Sequence, residues 1–207
     1  MIFRWGAATI VLALLAVSTE SGAAPPGARD PDWPCQQIKV PELSPAAIWS
    51  GPTIDPQKTD WKRDQQVANL VQRLALRRVP IETAQGLIQD YAKNANGQKQ
   101  TGLLALMAGL FAVLNQERDS VMAGLDRFGA RQRQLATAIR ADNQKLRAAQ
   151  ADTPADANAV AQLTQQVTWE SEVFQDRRQA LSYACDVPTK IEQRLFALAR
   201  TIQQQLN

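Results

Sequence analysis

The 207-residue chain contains no histidine. That absence removes Ser-His-Asp and Cys-His nucleophile activation, the HExxH zinc proteases and haem held by an axial imidazole. Cysteine is almost as scarce. Cys35 and Cys185 are the pair present, and no CxxC or CxxCH occurs. Iron–sulfur clusters, Cys-rich zinc sites and covalent haem attachment are therefore excluded. Aromatic residues make up 6% of the chain, too few for the strand-forming runs of a sheet protein. EF-hand, Walker A, dinucleotide-glycine and GxSxG patterns are missing as well. Any chemistry would fall to Asp, Glu, Lys, Tyr or Ser.

What is abundant is alanine and glutamine in helical periodicity, and the expected fold class is all-α. Residues 1–23 read as a secretory signal peptide. Arg4 supplies the positive start, Ala7–Val17 an apolar stretch too short to cross a membrane, and Ser21-Gly22-Ala23 the small residues of a cleavage site. The mature chain is thus expected in the periplasm, with no transmembrane segment. An oxidising compartment permits a structural disulfide between Cys35 and Cys185.

Residues 24–58 hold eight of the eleven prolines. A continuous helix is impossible there and ladder strands are disfavoured. Trp33, Ile38, Val40, Leu43, Ile48 and Trp49 punctuate the stretch, which reads as an extended strap laid on a helical surface. The remainder, 59–207, reads as one helical domain. A first helix is expected from a Thr59 or Asp60 cap, with Arg77-Arg78 in its last turn, and Pro80 ends it. A second spans Ile81–Asn94 before the stop Asn94-Ala95-Asn96-Gly97.

From Leu104 to Leu146 apolar positions step by alternating threes and fours, the seam of a coiled coil. A second seam runs from Val160 to Ile202, after an expected restart at Thr153-Pro154. Folding the two back on each other near Asp152 matches Leu146 with Val160, Ile139 with Val167, Gln132 with Phe174, Leu125 with Leu181 and Phe111 with Leu195. The expected architecture is a four-helix bundle (59–120 and 188–207), a long antiparallel coiled-coil hairpin (120–187) roughly 75 Å long at ~1.5 Å per residue, and the N-terminal strap. Pro188 should kink or break the returning arm. Arg177 is placed over Phe128 for a cation–π contact.

The charge balance is +3. Glu117–Arg147 carries seven positive and four negative groups, Asp156–Asp186 two positive and five negative. The arms are opposite in sign and are expected to answer each other. No dense basic stripe with interleaved aromatics occurs, so nucleic acid is not an expected partner. Paired carboxylates perform acid–base work, and Glu117, Asp119 and Asp186 approach Arg118 in this register. Solvated ion pairs account for them better. No catalytic residue, cofactor or metal ligand is assigned, and the chain is read as not an enzyme.

The function expected is a non-enzymatic protein-interaction module: an adaptor, scaffold or accessory subunit of a cell-envelope assembly, with another envelope protein as partner and room for a homo-oligomer. Candidate partner-binding residues are Trp33 and Trp49 of the strap and Arg77 and Arg78 at the end of the first helix. The competing reading, favoured by composition, is that the tryptophans cover the bundle core. The alternative function is a holdase chaperone cradling unfolded clients along the hairpin. Small helical periplasmic chaperones carry an LTxxQ motif, which Leu163-Thr164-Gln165-Gln166-Val167 does not satisfy.

Overall fold

The computed structural model describes residues 30–152 and 154–206. The signal peptide read at 1–23 lies outside the described residues. Every regular element among them is helical: α1 (Pro45–Ile48), α2 (Gln65–Ala75), α3 (Ile81–Asn94), a 3₁₀ turn (Asn96–Gln98), α4 (Lys99–Ala151), α5 (Ala157–Cys185) and α6 (Val187–Leu206). No described helix is long and apolar enough to cross a membrane.

The start of α2 is later than the sequence pattern suggested. Asp64, not Thr59 or Asp60, is the cap, and its carboxylate accepts the amides of Gln66 and Val67 at 2.8 and 3.3 Å. Residues 59–63 form turns that still seat Trp61 in the core. The helix ends at Ala75, so Arg77 and Arg78 lie beyond its last turn rather than in it. The cation that meets its carbonyls comes from α6. Arg194 donates from Nε to the Leu74 carbonyl at 2.8 Å and from Nη1 to the Val79 carbonyl at 2.9 Å. A buried guanidinium there satisfies the orphan Leu74 carbonyl at the negative end of the helix dipole and ties the following loop through Val79, although burial pushes the group below its ordinary pKa.

Helix α3 occupies the range the periodicity predicts, with Pro80 at its N-cap. The left-handed residue after it is Asn96, at φ 36°. Asparagine tolerates that region better than other side-chain-bearing residues, and the chain turns directly into α4.

Helix α4 has 53 residues and is about 80 Å long. Its first turn is exposed, and the enclosed stretch runs from Leu103 to Leu114. Leu103, Leu106, Leu110 and Leu114 have no accessible surface and share one core with Val67 and Leu74 of α2, Ile88 of α3 and Leu195 and Ile202 of α6. Gly109 allows the tight approach: a Cβ there would collide with Val71 and the Trp61 ring.

Beyond Arg118, α4 pairs with α5. Gln132 donates to the Phe174 carbonyl at 3.3 Å, as the seam register requires, and Gln166 donates to Asp142 at 2.8 Å. Rising numbers on α4 meet falling numbers on α5. The α5 cap is Asp156, which accepts the amides of Asn158 and Ala159, so the restart expected at Thr153-Pro154 comes a few residues later. The returning arm breaks at Asp186, and Pro188 sits in the first turn of α6, where a missing N–H costs nothing. Cys185 is the buried residue of α5. Phe128, Leu135, Val167 and Phe174 are half-buried, because a two-helix seam covers each layer on one side only.

Candidate interaction site

The strap reaches the helices at the junction where α5 gives way to α6. Cys35 is bonded to Cys185 with Cα atoms 5.7 Å apart. Around that bond the contacts are polar. Gln37 donates to the Cys185 carbonyl, Asp32 pairs with Arg133, and Lys39 bridges Asp30 at 2.6 Å and Asp126 at 2.8 Å. Arg118 donates to the Val40 carbonyl at 2.5 Å and to Glu192 at 2.5 Å.

The apolar residues that punctuate the strap do not all face the helices. Ile38 is 89% exposed and Val40 is exposed too. Neighbours in an extended chain face opposite ways. With Lys39 turned down onto its carboxylates, Ile38 and Val40 must turn out. Further along, the one-turn helix α1 opens on Pro45, and Leu43, Ile48 and Trp49 do pack on the core.

Gly129 of α4 is the floor of the strap. A Cβ there would strike the Asp32 carbonyl and sit 3.2 Å from Pro34. The obstacle is backbone, which yields less readily than a side chain. Gly129→Ala should therefore lift the strap and cost about 1–3 kcal/mol, the usual range for overpacking, despite the better helix propensity of alanine. Urea unfolding is the measurement; a neutral or stabilising substitution would mean the strap does not seat on Gly129.

The charges around Lys39 set a pH window. The Asp126 carboxylate, and then Asp30, raise the ammonium above its ordinary 10.5. Lys39, and then the Asp32 amide, hold Asp30 below its ordinary 3.8. A lowered acid contributes stability that is present above 3.8 and lost as pH falls through the lowered value. A raised base contributes stability that is complete below 10.5 and lost as pH rises through the raised value. The difference in melting temperature between the wild type and Lys39→Met should accordingly stay constant between about pH 4 and 10 and shrink outside it. A difference that changed between about pH 5 and 8 would show that another group governs the clamp.

The residues singled out as partner-binding separate clearly. Trp49 is 6% exposed, with its indole N–H bonded to the Pro52 carbonyl at 2.7 Å, so it belongs to the core and offers no surface. Trp33 is half-buried, donates to the Gln37 carbonyl and has the Lys39 ammonium 5.7 Å from its ring. Arg77 is exposed and pairs with Glu117 at 3.2 Å, while Arg78 is exposed and is in no ion pair among the described residues. The three acids near the junction each have their own cationic neighbour: Glu117 has Arg77, Asp119 lies 3.7 Å from Arg118, and Asp186 lies 4.0 Å from Lys190. Arg118 itself is 1% exposed, and its closest acid is Glu192, one the sequence reading did not place there. The expected Arg177–Phe128 contact does not form; the cation–π contacts among the described residues are Lys39–Trp33 and Lys62–Trp61.

The chain matches no family model, no curated protein and no solved structure.

The arm of α4 and α5 carries features that the sequence reading passed over. Trp169 is 64% exposed and Tyr183 78% exposed on the outer side of α5. Both fall off the seam by position, which is the signal that would have found them. The opposite charges of the two helices also form no direct ion pair, although Asp142 and, more weakly, Glu170 of α5 raise the Lys145 ammonium of α4. Among the described residues no ion pair joins α4 to α5. Arg133 goes to the strap, and buried Asp142 pairs with Lys145 of its own helix. The expectation that the arms answer each other through ion pairs is corrected: the charges of α4 are met by the strap, by α6 and by α4 itself.

Proposed function

We propose that the chain is a non-enzymatic protein-interaction module of the periplasm, serving as adaptor, scaffold or accessory subunit of an envelope assembly. In this reading α2, α3, α6 and the first turns of α4 form a four-helix bundle. The rest of α4 and α5 form an antiparallel coiled-coil hairpin that carries the contact surface away from it. The observation that supports the reading is the burial pattern of α5. A helix of 29 residues that buries Cys185 alone contributes little to its own domain's core, and a long exposed helix is what a partner helix or groove would engage. The strap, fixed by Cys35–Cys185 at the foot of the hairpin, would hold its angle.

The test is deletion of matched heptads from both arms, leaving the loop, the bundle and the strap in place. A partner co-purified stoichiometrically from the native envelope by the full chain should be lost from the shortened one, with melting of the bundle little changed. If the shortened chain keeps the partner, the hairpin is not the contact surface. A holdase would instead suppress aggregation of several unrelated clients, and would lose that activity in proportion to the length removed.

A further inference from the structure

A cleft of about 650 Å³ lies where residues 41–45 and residues 53–57 meet one flank of α4. That volume falls in the range of small-ligand sites. Its apolar lining is Phe111 of α4 with Leu43 and Ile54 from the two loops. Phe111 belongs to the bundle core and the other two pack against it, so the fold itself holds this floor in place.

The polar lining is one-sided. Pro41, Pro45 and Pro56 bring carbonyls without N–H groups. Glu42, Asp55 and Asp119 bring carboxylates, and among the described residues no lysine or arginine lines the cleft. Asn115 spends its donor within the wall, from Nδ2 to Asp119 at 3.0 Å. A carboxylate only accepts, which fixes the orientation of that amide and leaves Oδ1 as its other end. Among the described residues this buried oxygen has no hydrogen-bond partner. The neutral donors left in the lining are the exposed Thr53 and Gln57 side chains.

The three acids differ in what already engages them. Asp55 accepts the amides of Gln57 and Lys58, each at 3.1 Å, and has the exposed Lys58 ammonium at 3.3 Å. It therefore shapes its loop first. Asp119 has Arg118 at 3.7 Å, too long for a hydrogen bond. Glu42 is exposed and in no ion pair among the described residues.

We propose that this cleft binds an organic cation, an alkylguanidinium or alkylammonium, with its aliphatic stem on Phe111, Leu43 and Ile54 and its head at Glu42 and Asp119. A basic head supplies donors to walls that hold mostly acceptors, and it answers their charge. The stem covers a floor that an inorganic cation would leave wet. Lysine and arginine side chains divide between stem and head in the same way. The chemistry is common to a free amine and to a basic side chain of a polypeptide. The inference stands apart from the contact surface proposed on the hairpin, since the cleft belongs to the bundle and is tested without a partner.

The experiment is isothermal titration of the purified full chain at about 50 mM salt, where screening is modest. The probes are agmatine, N-acetylarginine amide, N-acetylcitrulline amide and magnesium chloride. Agmatine, the capped arginine or both should bind with a Kd below about 1 mM. The citrulline probe has the shape without the charge, and magnesium the charge without the stem; each should bind at least about tenfold more weakly. Glu42→Gln combined with Asp119→Asn should weaken the guanidinium probes at least about tenfold and leave helix content unchanged, as both side chains are exposed. Agmatine alone binding upholds the proposal with a free amine as source, and capped arginine binding upholds it with a basic side chain as source. No heat from either guanidinium probe up to about 10 mM would overturn it. So would magnesium or citrulline binding as tightly, or a double variant that binds like the wild type. Should the double variant lose helix content, Glu42→Gln alone carries the test, with a loss of at least about threefold.

Discussion

Replacing Cys35 and Cys185 together with alanine is expected to lower stability by about 5 kcal/mol, which for a chain of this size is a fall in melting temperature of roughly 10–20 °C. The magnitude comes from the closed loop. The bond spans 150 positions, and closing so long a segment removes more entropy from the unfolded chain than a short staple does. The bundle core does not depend on the bond for its packing, because the residues without accessible surface all lie on α2, α3, α4 and α6. Unfolding of the double variant should therefore remain cooperative while shifting down in temperature. Dithiothreitol on the wild type should reproduce the shift without any change of sequence. A shift below about 1 kcal/mol would mean that the strap, held by Lys39, Asp32 and Gln37, already restricts the chain as much as the bond does.

The second large effect is expected at Arg118. Its guanidinium is 1% exposed, whereas the Glu192 side chain it pairs with at 2.5 Å is 32% exposed. That asymmetry decides which substitution is worse. Glu192→Met leaves a buried cation with the Val40 carbonyl and the more distant, exposed Asp119, and should cost about 3–5 kcal/mol. Arg118→Met leaves a carboxylate that can turn toward water, and should cost about 1–3 kcal/mol. The double substitution should cost less than the sum of the two, because neither charge is then stranded. Urea unfolding of the four proteins closes the cycle. Additive effects, or a harmless Glu192→Met, would show that Arg118 is held by the strap carbonyl rather than by the acid.

The two kinds of regular signal in the sequence carried over differently. Periodicity placed α3 between Ile81 and Asn94, and it set the register in which Gln132 meets Phe174. Both rest on spacing, which burial enforces layer after layer, so that one wrong step would turn a whole face outward. Caps were less legible. Asp60, Asp64, Thr153 and Asp156 are all competent capping residues by type, and the choice of Asp64 and Asp156 depends on where the core lets the helix begin. The strap was the least legible part. Its spread of apolar residues indicates a strap laid on helices but not which of them face inward. At residues 38–40 it is Lys39 that turns in, because Asp126 and Asp30 stand beneath it. Nothing in residues 30–40 reveals that Asp126 of α4 lies beneath Lys39, or that the chain brings Asp30, nine positions back, against it. Gly129 was invisible for the same reason: a lone glycine in a long helical run is ordinary until the strap backbone is seen to lie on it. Arg194 and Glu192 escaped notice because their partners, the end of α2 and Arg118, are distant in sequence.

The break at Asp186 has a mechanical consequence. One leg of the arm, α4, continues without interruption from the core to the tip, whereas the other leg is jointed between Cys185 and Val187. A strut with one stiff leg and one jointed leg resists compression along its length but yields by pivoting toward the jointed side. The disulfide attaches at the last residue before that joint, and the strap it anchors runs back across α4 to Asp126 and Arg133. It acts as a guy line, taking up tension when a load on the tip would open the joint.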